Sequence, residues 1–154
     1  MHGQIITVGV DGSKASTTAV QFALEEAKLR GATVRAVTAW EADTIYAARG
    51  FPLLDEERAA HVKSATTVQN KAIELALQAV EDAPSIERKV VRGRPGQALV
   101  ALSSDAGLLV VGTEHKGALK RVVVGSTSAH CAKYSRVPVV VVPFVDSDLY
   151  RGED

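Results

Sequence analysis

The sequence predicts a three-layer α/β/α sandwich built on a five-stranded parallel sheet. Short runs of β-branched and apolar residues alternate with helical patterns through the whole chain. Such alternation requires right-handed crossovers, which place helices on both faces of a parallel sheet. The 154 residues make one domain of ordinary size, so no second domain is expected.

The first half of the chain predicts two strands and two helices. Residues 5–10 form a β-branched run that ends abruptly at Asp11, as in a strand buried on both faces. Small apolar residues at helical spacing follow, with Ser13 or Ser16 able to cap the helix and Gly31 able to end it. The remaining predictions are a strand over 32–40, a mobile connection over 41–54, and a helix over 55–80 with an inward stripe of Ala65, Val68, Ala72, Leu75 and Ala79.

The second half predicts three strands and two helices. Residues 86–91 carry exposed polar side chains, as an edge strand would, and Pro95 suits the first position of the helix that follows. Residues 108–111 are all apolar, so we expect a central strand, broken by Gly112. The chain is then predicted to form a loop to residue 124, a helix starting near Gly125 and Ser126, a last strand from Val137 to Val142, and a flexible polar tail over 146–154. The whole pattern is Rossmann- or flavodoxin-like.

Charge, cysteine content and hydropathy exclude several classes of protein. The 18 basic side chains balance 18 acidic ones, which argues against a nucleic-acid binder with a basic face. The lone Cys131 excludes a disulfide-stapled scaffold, and we expect it to be a small buried side chain. The longest apolar run is interrupted by prolines and falls short of the roughly 20 residues of a membrane span. The first residues lack a signal-peptide pattern, so we expect a cytoplasmic protein without a membrane partner.

Three turns are candidates for a ligand site, those after Val10, Val37 and Val111. In an open parallel sheet, ligands bind beyond the carboxyl ends of the strands, where the strand order reverses. Asp11, after the first strand, can accept hydrogen bonds from ribose hydroxyls or from a base amino group. Alternatively, Asp11 and Ser13 form an Asx turn that merely caps a helix. The sequence leaves both interpretations open.

A second candidate is the glycine-rich loop that follows the fourth strand. It opens at Gly112 and ends at Gly125, where a helix with three hydroxyl side chains is predicted. Free amides at a helix N-terminus, with hydroxyls and cations nearby, form an anion site, and a phosphate chain is the expected occupant. An ordinary connection with turn glycines is the alternative. The cations of this loop are Lys116, Lys120 and Arg121.

Several other kinds of site are disfavoured by the motifs that the sequence lacks. It holds neither a P-loop nor the Gly-x-Gly-x-x-Gly fingerprint, and it has no Gly-x-Ser-x-Gly nucleophile elbow. Asp11 stands alone after the first strand, whereas a phospho-acceptor domain needs paired acids there. The four histidines show no metal-ligand spacing, so no metal site is predicted.

At the glycine-rich loop the sequence resembles the nucleotide-binding branch of the universal stress protein family. That family carries Gly, two residues, Gly, nine residues and Gly-Ser/Thr, and here Gly112, His115, Gly125 and Ser126 fall at those spacings, with His115 in place of a glycine. The resemblance covers nearly the whole chain, with a family domain over 1–145. It implies the strand order 3-2-1-4-5 of adenine nucleotide alpha hydrolase-like proteins.

The resemblance also implies a ligand, which is ATP, with or without Mg²⁺. The adenine is expected against the backbone at Val37 and beside Asp11, the ribose near Asp11 and Gly112, and the phosphates on His115, Gly125, Ser126 and Thr127. The protein is then a cytoplasmic stress sensor or regulatory module, with slow ATP hydrolysis at most. The other residues expected in the site are Val10, Gly12, Val111 and Gly117.

His115 leaves alternatives open, because it adds a side chain where the family brings bare backbone to a phosphate. It blocks the pocket, leaving a nucleotide-free interaction domain, or takes on a φ that His tolerates poorly, or supplies a pH-dependent donor. An enzyme of the wider adenine-binding superfamily is a third interpretation. The resemblance further implies a homodimer through the last strand, residues 137–142, and a plain edge strand is the alternative.

Overall fold

A computed structural model describes residues 4–42, 45–114 and 124–144 of the chain. Its strands are β1 (Ile5–Gly9), β2 (Thr33–Trp40), β3 (Ile86–Arg92), β4 (Leu108–Glu114) and β5 (Val139–Phe144). Its helices are α1 (Lys14–Arg30), α2 (Ile45–Ala48), α3 (Asp55–Leu77), α4 (Pro95–Leu102) and α5 (Ser126–Tyr134). The strands form one sheet in the order β3-β2-β1-β4-β5, and every pair is parallel. The predicted fold class and strand order are confirmed.

The strand order reverses between β1 and β4. From β1 the chain builds outward to β2 and β3, and after α4 it returns to the other side of β1 to form β4 and β5. The predictions that β3 is an edge strand and that residues 108–111 lie in a central strand are therefore confirmed. The carboxyl ends of β1 and β4 form the switch point at which sheets of this kind bind ligands.

Two apolar clusters hold the helices against the two faces of the sheet. One cluster packs Ile6 and Val34 against Leu24 of α1 and Ile73 of α3. The other packs strand residues against α4 and α5 and includes Cys131, which is completely buried, as predicted. Burial raises the pKa of the Cys131 thiol to about 11, so this side chain serves as an apolar core residue.

The capping predictions for α1 are confirmed in detail. Ser13 is the N-cap residue, and its hydroxyl oxygen accepts a hydrogen bond from the Ser16 N–H at 3.1 Å. Gly31 ends the helix with a φ of +64°, a conformation that glycine adopts without steric cost. Pro95 also occupies the first turn of α4, as its fixed φ favours.

The buried face of α3 differs from the predicted stripe. Its buried residues are Ala65, Gln69, Ala72, Ile73 and Ala76. The predicted inward positions Leu75 and Ala79 are wrong, since both are exposed, and Val68 is only partly buried. The prediction followed apolar residues along the helix, whereas the face toward the sheet includes Gln69, whose amide finds acceptors there. The helix also ends at Leu77, three residues earlier than expected.

Gly112 does not break β4, contrary to the prediction. The strand continues to Glu114, and Gly112 pairs with Val142 of β5. The absence of a side chain matters instead for α1, because an added Cβ would overlap the backbone carbonyl of Ala15 and lie 3.0 Å from the Ser16 nitrogen. This glycine lets the first turn of α1 pack directly on the central strand.

Two other predicted boundaries are corrected. β5 starts two residues later than expected, because the Ser135 hydroxyl donates to the Val137 carbonyl and accepts from its N–H. The connection predicted over 41–54 contains the short helix α2. The tail predicted over 146–154 lies outside the described residues and stays a prediction. Across the described ranges, no helix is long and apolar enough to cross a membrane.

Candidate functional site

A crevice opens at the switch point, where β1, β2 and β4 end and three helices begin. Its empty space amounts to about 540 Å³, including the mouth toward solvent. The crevice is lined by Gly9, Val10, Asp11, Ser13, Ser16, Val37, Ala39, Pro95, Leu99, Val111, Gly112 and Thr127. Most of these residues are apolar, and the few polar ones gather at the start of α1 and α5, as is usual for small-molecule sites.

The inner part of the crevice is an apolar slot. Val37, Leu99 and Val111 are buried, with their side chains in the cluster on the α4 and α5 face. Leu99 approaches the end of β1 closely, since an added Cβ on Gly9 would lie only 2.9 Å from its Cδ1. A glycine at the end of β1 therefore allows α4 to close one wall of the slot.

The turn after β1 combines an Asx turn with a helix cap. Asp11 Oδ1 accepts a hydrogen bond from the Ser13 N–H at 2.9 Å, and the Asp11 N–H donates to the Ser16 hydroxyl at 3.3 Å. Burial tends to raise the pKa of Asp11, but its hydrogen bonds with Ser13 and Ser16 outweigh that effect and hold the pKa below its ordinary value. Asp11 therefore presents an ionised carboxylate to the crevice at neutral pH.

Gly12 supports this turn from behind. Its φ is +84°, and an added Cβ would lie 2.7 Å from Cγ1 of Val68 on α3. Glycine is thus required both by the backbone conformation and by the close packing of α3. Gly12 is not among the described residues that line the crevice, although the sequence predicted it in the site.

The start of α5 is open, in contrast to the start of α1. Gly125 is the N-cap residue, so no side-chain oxygen of that residue accepts from the first-turn amides, and the first turn holds no acidic residue. The Ser128 hydroxyl donates to the Gly112 carbonyl at 3.3 Å, which fastens α5 to β4. The first-turn amides of α5 therefore form a ready site for an anion.

A second cavity continues the crevice along this helix start. It has about 920 Å³ of empty space, including open solvent at its mouth, and shares Asp11, Ser13, Gly112 and Thr127 with the crevice. Glu114, Gly125 and Ser126 line its far part. The two cavities together offer a path from the apolar slot, past a carboxylate, to the first turn of α5.

The end of β2 extends beyond the end of β1. The Val37 carbonyl accepts a hydrogen bond from the Val10 N–H at 2.9 Å, so the sheet already uses it. Backbone groups along a strand point alternately to its two neighbours. The backbone of Ala39, two residues after Val37, therefore faces the same side at a point where β1 has already ended.

The structure brings most of the predicted site residues together. Val10, Asp11, Val37, Val111, Gly112 and Thr127 line the crevice, and Gly125 and Ser126 line the adjoining cavity. His115 and Gly117 lie outside the described residues. The crevice residues that the sequence prediction missed are Gly9, Ser13, Ser16, Ala39, Pro95 and Leu99. Ala39 could have been predicted, because residues two positions apart on a strand share a face and Ala39 follows Val37 by two positions.

In the three described ranges, no cluster of three or more His, Cys, Asp or Glu side chains is arranged to hold a metal ion. Two histidines have aromatic partners instead. His61 stacks on Trp40 with ring centroids 5.0 Å apart, and His130 lies against Tyr134 at 4.6 Å. These histidines are held by ring packing, and nothing around them indicates ligation.

Fold and crevice together define an α/β protein of the doubly wound class, with a crevice at the topological switch point. The universal stress protein family model matches residues 3–143, and the chain belongs to this family. Universal stress protein Rv2005c of Mycobacterium tuberculosis is 32% identical over 136 residues, which are 88% of this chain and 44% of the relative. The chain thus spans less than half the length of that relative.

Solved structures agree with the family assignment. Universal stress protein UspA from Lactobacillus plantarum has a TM-score of 0.72 at 21% identity, covering 92% of this chain and 99% of its own, which supports the same fold. A universal stress protein solved in complex with cAMP is 30% identical, with a TM-score of 0.62, covering 92% of this chain and 98% of its own.

Proposed function

We propose that the crevice binds an adenine nucleotide, with ATP as its ligand, and that the protein acts in the cytoplasm as a nucleotide-dependent sensor or regulatory module. The observation that carries this proposal is the order of chemical environments along one continuous path. An apolar slot is followed by an ionised carboxylate and then by an open helix N-terminus. A base, a ribose and a phosphate chain follow one another in the same order.

The apolar slot is the proposed site of the adenine ring. Val37, Leu99 and Val111 form walls that gain free energy by excluding water from the faces of a planar base. At the open end of β2, the N–H and carbonyl of Ala39 lie side by side. A donor next to an acceptor matches the N1 acceptor and the 6-amino donor on the edge of adenine.

Asp11 is the proposed partner of the ribose. Its carboxylate is ionised at neutral pH and lines both cavities, so it stands between the proposed base and phosphate positions. An ionised carboxylate accepts hydrogen bonds from hydroxyl groups more strongly than a neutral group does. The 2′- and 3′-hydroxyls of a ribose supply such donors.

The start of α5 is the proposed phosphate site. Gly125, Ser126 and Thr127 offer backbone N–H groups and two hydroxyls, and the helix dipole favours an anion at this end. Among the described residues, no atom lies within 4 Å of the position of an added Cβ on Gly125, so in this part of the chain a phosphate has room to approach. The adjoining cavity, with about 920 Å³ of empty space including open solvent, has room for a chain of several phosphates. Asp11 and Glu114 are the carboxylates that we propose for a Mg²⁺ ion bound with them.

The structure solved with cAMP supports this proposal as to the class of ligand, because that protein is 30% identical to this chain. We propose binding without rapid turnover. Asp11 is the one ionisable side chain among the described residues that line the crevice. Asp11 and Glu114, both proposed to hold Mg²⁺, are the only ionisable side chains among the described residues that line the two cavities, so no further carboxylate is left to activate a water and we expect slow hydrolysis at most.

We further propose a homodimer through the last strand. β5 forms one edge of the sheet, and its four valines, from Val139 to Val142, are only partly buried. A partner strand from a second copy would pair with the free edge and cover these side chains. The predicted interface, residues 137–142, overlaps this edge.

Calorimetric titration with ATP, cAMP, AMP and adenosine tests the nucleotide proposal. The single tryptophan, Trp40, directly follows Ala39, so its fluorescence provides a second signal of binding. In Ser126→Asp, a carboxylate occupies the first turn of α5 and repels phosphate while it favours the helix dipole. We expect at least tenfold weaker ATP binding, as two like charges in partial solvent imply, with unchanged adenosine binding and no loss of thermal stability.

The matched control is Ser126→Asn, which has the same shape without the charge and is expected to keep ATP binding close to that of the parent. Sedimentation of the same samples at micromolar concentration measures the dimer. If no adenine nucleotide binds to the parent protein while the dimer persists, the nucleotide-free interaction domain replaces this proposal.

A further inference from the structure

We infer that Thr38 and Gln69 are positioning residues that keep the Ala39 N–H out of the ladder between β1 and β2, so that the Ala39 backbone can bind the edge of the base. This inference rests on the proposed function. Both residues lie outside the lining of the crevice, and both are almost completely buried, with 4% and 1% of their surface exposed. Their effect on a ligand would therefore pass through the strand between them and the crevice.

The ladder between β1 and β2 ends in an unusual way. In a regular parallel ladder, the N–H of a residue donates to a carbonyl on the neighbouring strand. The carbonyl of the same residue accepts from the N–H that lies two residues further along that neighbouring strand. The Val10 N–H donates to the Val37 carbonyl, so the Val10 carbonyl should accept from the Ala39 N–H. Within the described residues the pairing instead ends at Gly9 and Val37, and the Thr38 hydroxyl donates to the Val10 carbonyl at 2.8 Å.

Gln69 fixes the direction of that hydroxyl. Its Nε2 lies 3.2 Å from the Ala36 carbonyl and 2.9 Å from the Lys89 carbonyl, and because carbonyls only accept, the atom there is the amide nitrogen. The same nitrogen lies 3.0 Å from Thr38 Oγ1 and can only donate to it, so its two hydrogens are shared among three acceptors. The hydroxyl has one hydrogen, and since it accepts from Gln69, that hydrogen is directed to Val10.

Thr38 and Gln69 act from the face of the sheet that is opposite the crevice. Ala36 packs with α1 and α3, whereas Val37 packs with α4, so Thr38 shares the α3 face and Ala39 shares the crevice face. A hydroxyl on one face thereby satisfies the Val10 carbonyl, and the Ala39 N–H on the other side of the ladder stays available to a ligand. The sequence pattern gave no sign of this, because Gln69 and Thr38 lie 31 residues apart.

The consequence is a preference for a 6-amino over a 6-oxo purine. The Ala39 carbonyl accepts from a 6-amino group, and the adjacent N–H donates to the ring nitrogen N1. Hypoxanthine, the base of ITP, carries an oxygen in place of the amino group and a hydrogen on N1, so both matches are lost. Sites built around such hydrogen bonds discriminate strongly against analogues that lack them.

Thr38→Val tests the inference, since valine has the shape of threonine without the hydroxyl. The Val10 carbonyl then has the Ala39 N–H as its nearest available donor, which closes the ladder and removes that donor from the crevice. We expect ATP affinity to fall about tenfold, the effect of one hydrogen bond, while ITP affinity changes little. Gln69→Leu frees the hydroxyl to rotate and is expected to give a smaller loss. Thr38→Ser keeps the hydroxyl and should restore the preference for ATP.

Thr67→Val is the matched control, because the Thr67 hydroxyl lies on the exposed side of α3 and donates to the Lys63 carbonyl. Amide hydrogen exchange of Ala39 in the nucleotide-free protein gives a readout that needs no ligand. We expect fast exchange in the parent protein and in Thr67→Val, and at least tenfold slower exchange in Thr38→Val. Thr38→Ser covers the case in which Thr38→Val does not fold.

Equal exchange at Ala39 in the parent and Thr38→Val would overturn the inference even if ATP binds. Unchanged discrimination between ATP and ITP in a folded Thr38→Val would overturn it as well. If the parent protein binds no nucleotide, the proposed function fails and base reading fails with it. In that case the exchange rates alone decide whether Thr38 keeps the Ala39 amide out of the ladder.

Discussion

Of the helices that begin at the crevice, α1 and α5 satisfy their first backbone N–H groups in different ways. At α1, the Ser13 hydroxyl accepts from the Ser16 N–H, and the Asp11 carboxylate accepts from the Ser13 N–H. At α5, the N-cap residue Gly125 has no side chain to accept, and no acidic residue stands in the first turn. The two ends lie on the same crevice, since Asp11 and Thr127 both line it.

This difference separates a structural helix end from one that is open to a ligand. Both ends carry the partial positive charge of a helix N-terminus. At α1 this partial charge is satisfied by side chains of the same chain, and the cap contributes to stability. At α5 it stays exposed, so an external anion would bind more favourably there. We therefore expect substitutions at α1 to change folding first and substitutions at α5 to change binding first.

The largest expected effect concerns the contact between α1 and β4. In Gly112→Ala, the new methyl group meets the Ala15 carbonyl, and this is backbone that cannot rotate away. We expect the free energy of unfolding to fall by about 3 kcal/mol, as for severe overpacking. Urea denaturation of the nucleotide-free protein measures it.

The counterpart on α5 is Gly125→Ser, which adds a capping hydroxyl at a φ of −63° and, as far as the described residues show, in open space. We expect its free energy of unfolding to stay the same or to rise by a few tenths, roughly 0.3 kcal/mol. An equal loss in both variants would break the comparison between the two helix ends.

The second effect concerns the caps themselves. Ser13→Ala removes the hydroxyl that caps α1, and we expect the free energy of unfolding to fall by about 1 kcal/mol. Ser126→Ala removes an exposed hydroxyl that has no capping role, so we expect a stability change within about 0.5 kcal/mol. For ATP affinity, which calorimetry measures, we expect the reverse order. Ser126→Ala should lower the affinity several-fold, and more than Ser13→Ala does. A stability loss in Ser126→Ala as large as in Ser13→Ala would contradict the assignment.

The fold and the cap of α1 could be predicted because their signals are local. The apolar run at 108–111 indicates a strand covered on both faces, and Gly31 indicates a helix end, whatever the rest of the chain does. The family motif likewise placed Gly125 and Ser126 correctly at the start of a helix. The predicted tail and the predicted role of His115 lie outside the described residues and stay predictions.

The missed parts of the site depend on distances between elements. Leu99 lines the crevice because a glycine at the end of β1 admits it, and Ala39 lines it because β2 runs past β1. Gln69 is buried because β2 and β3 supply carbonyls within reach of its amide. No local pattern encodes these relations. Apolar periodicity predicted that Leu75 faces the core, but Leu75 is exposed and Gln69 is buried.

The smallest expected effect is a pH dependence at the α1 end. The hydrogen bonds of Asp11 with Ser13 and Ser16 lower the pKa of its carboxyl below the ordinary value of about 3.8, despite partial burial. A group whose pKa is lower in the folded state contributes stability above its unfolded pKa, and that contribution disappears as the pH falls through the folded pKa. Asp11→Asn keeps an oxygen that can accept from Ser13 but removes the charge.

Urea denaturation of the nucleotide-free protein and of Asp11→Asn between pH 7 and pH 3 measures this contribution. We expect the parent protein to be slightly more stable at pH 7, and we expect the difference to shrink below about pH 4, where the unfolded carboxyl becomes protonated. Ser126→Asn is the control at α5, where no carboxylate stands in the first turn, so its difference from the parent should not vary over the same range. If the stability difference between the parent protein and Asp11→Asn instead grows on acidification, burial and not hydrogen bonding governs the pKa of this carboxyl. The turn before α1 would then not be stabilised by an ionised Asp11.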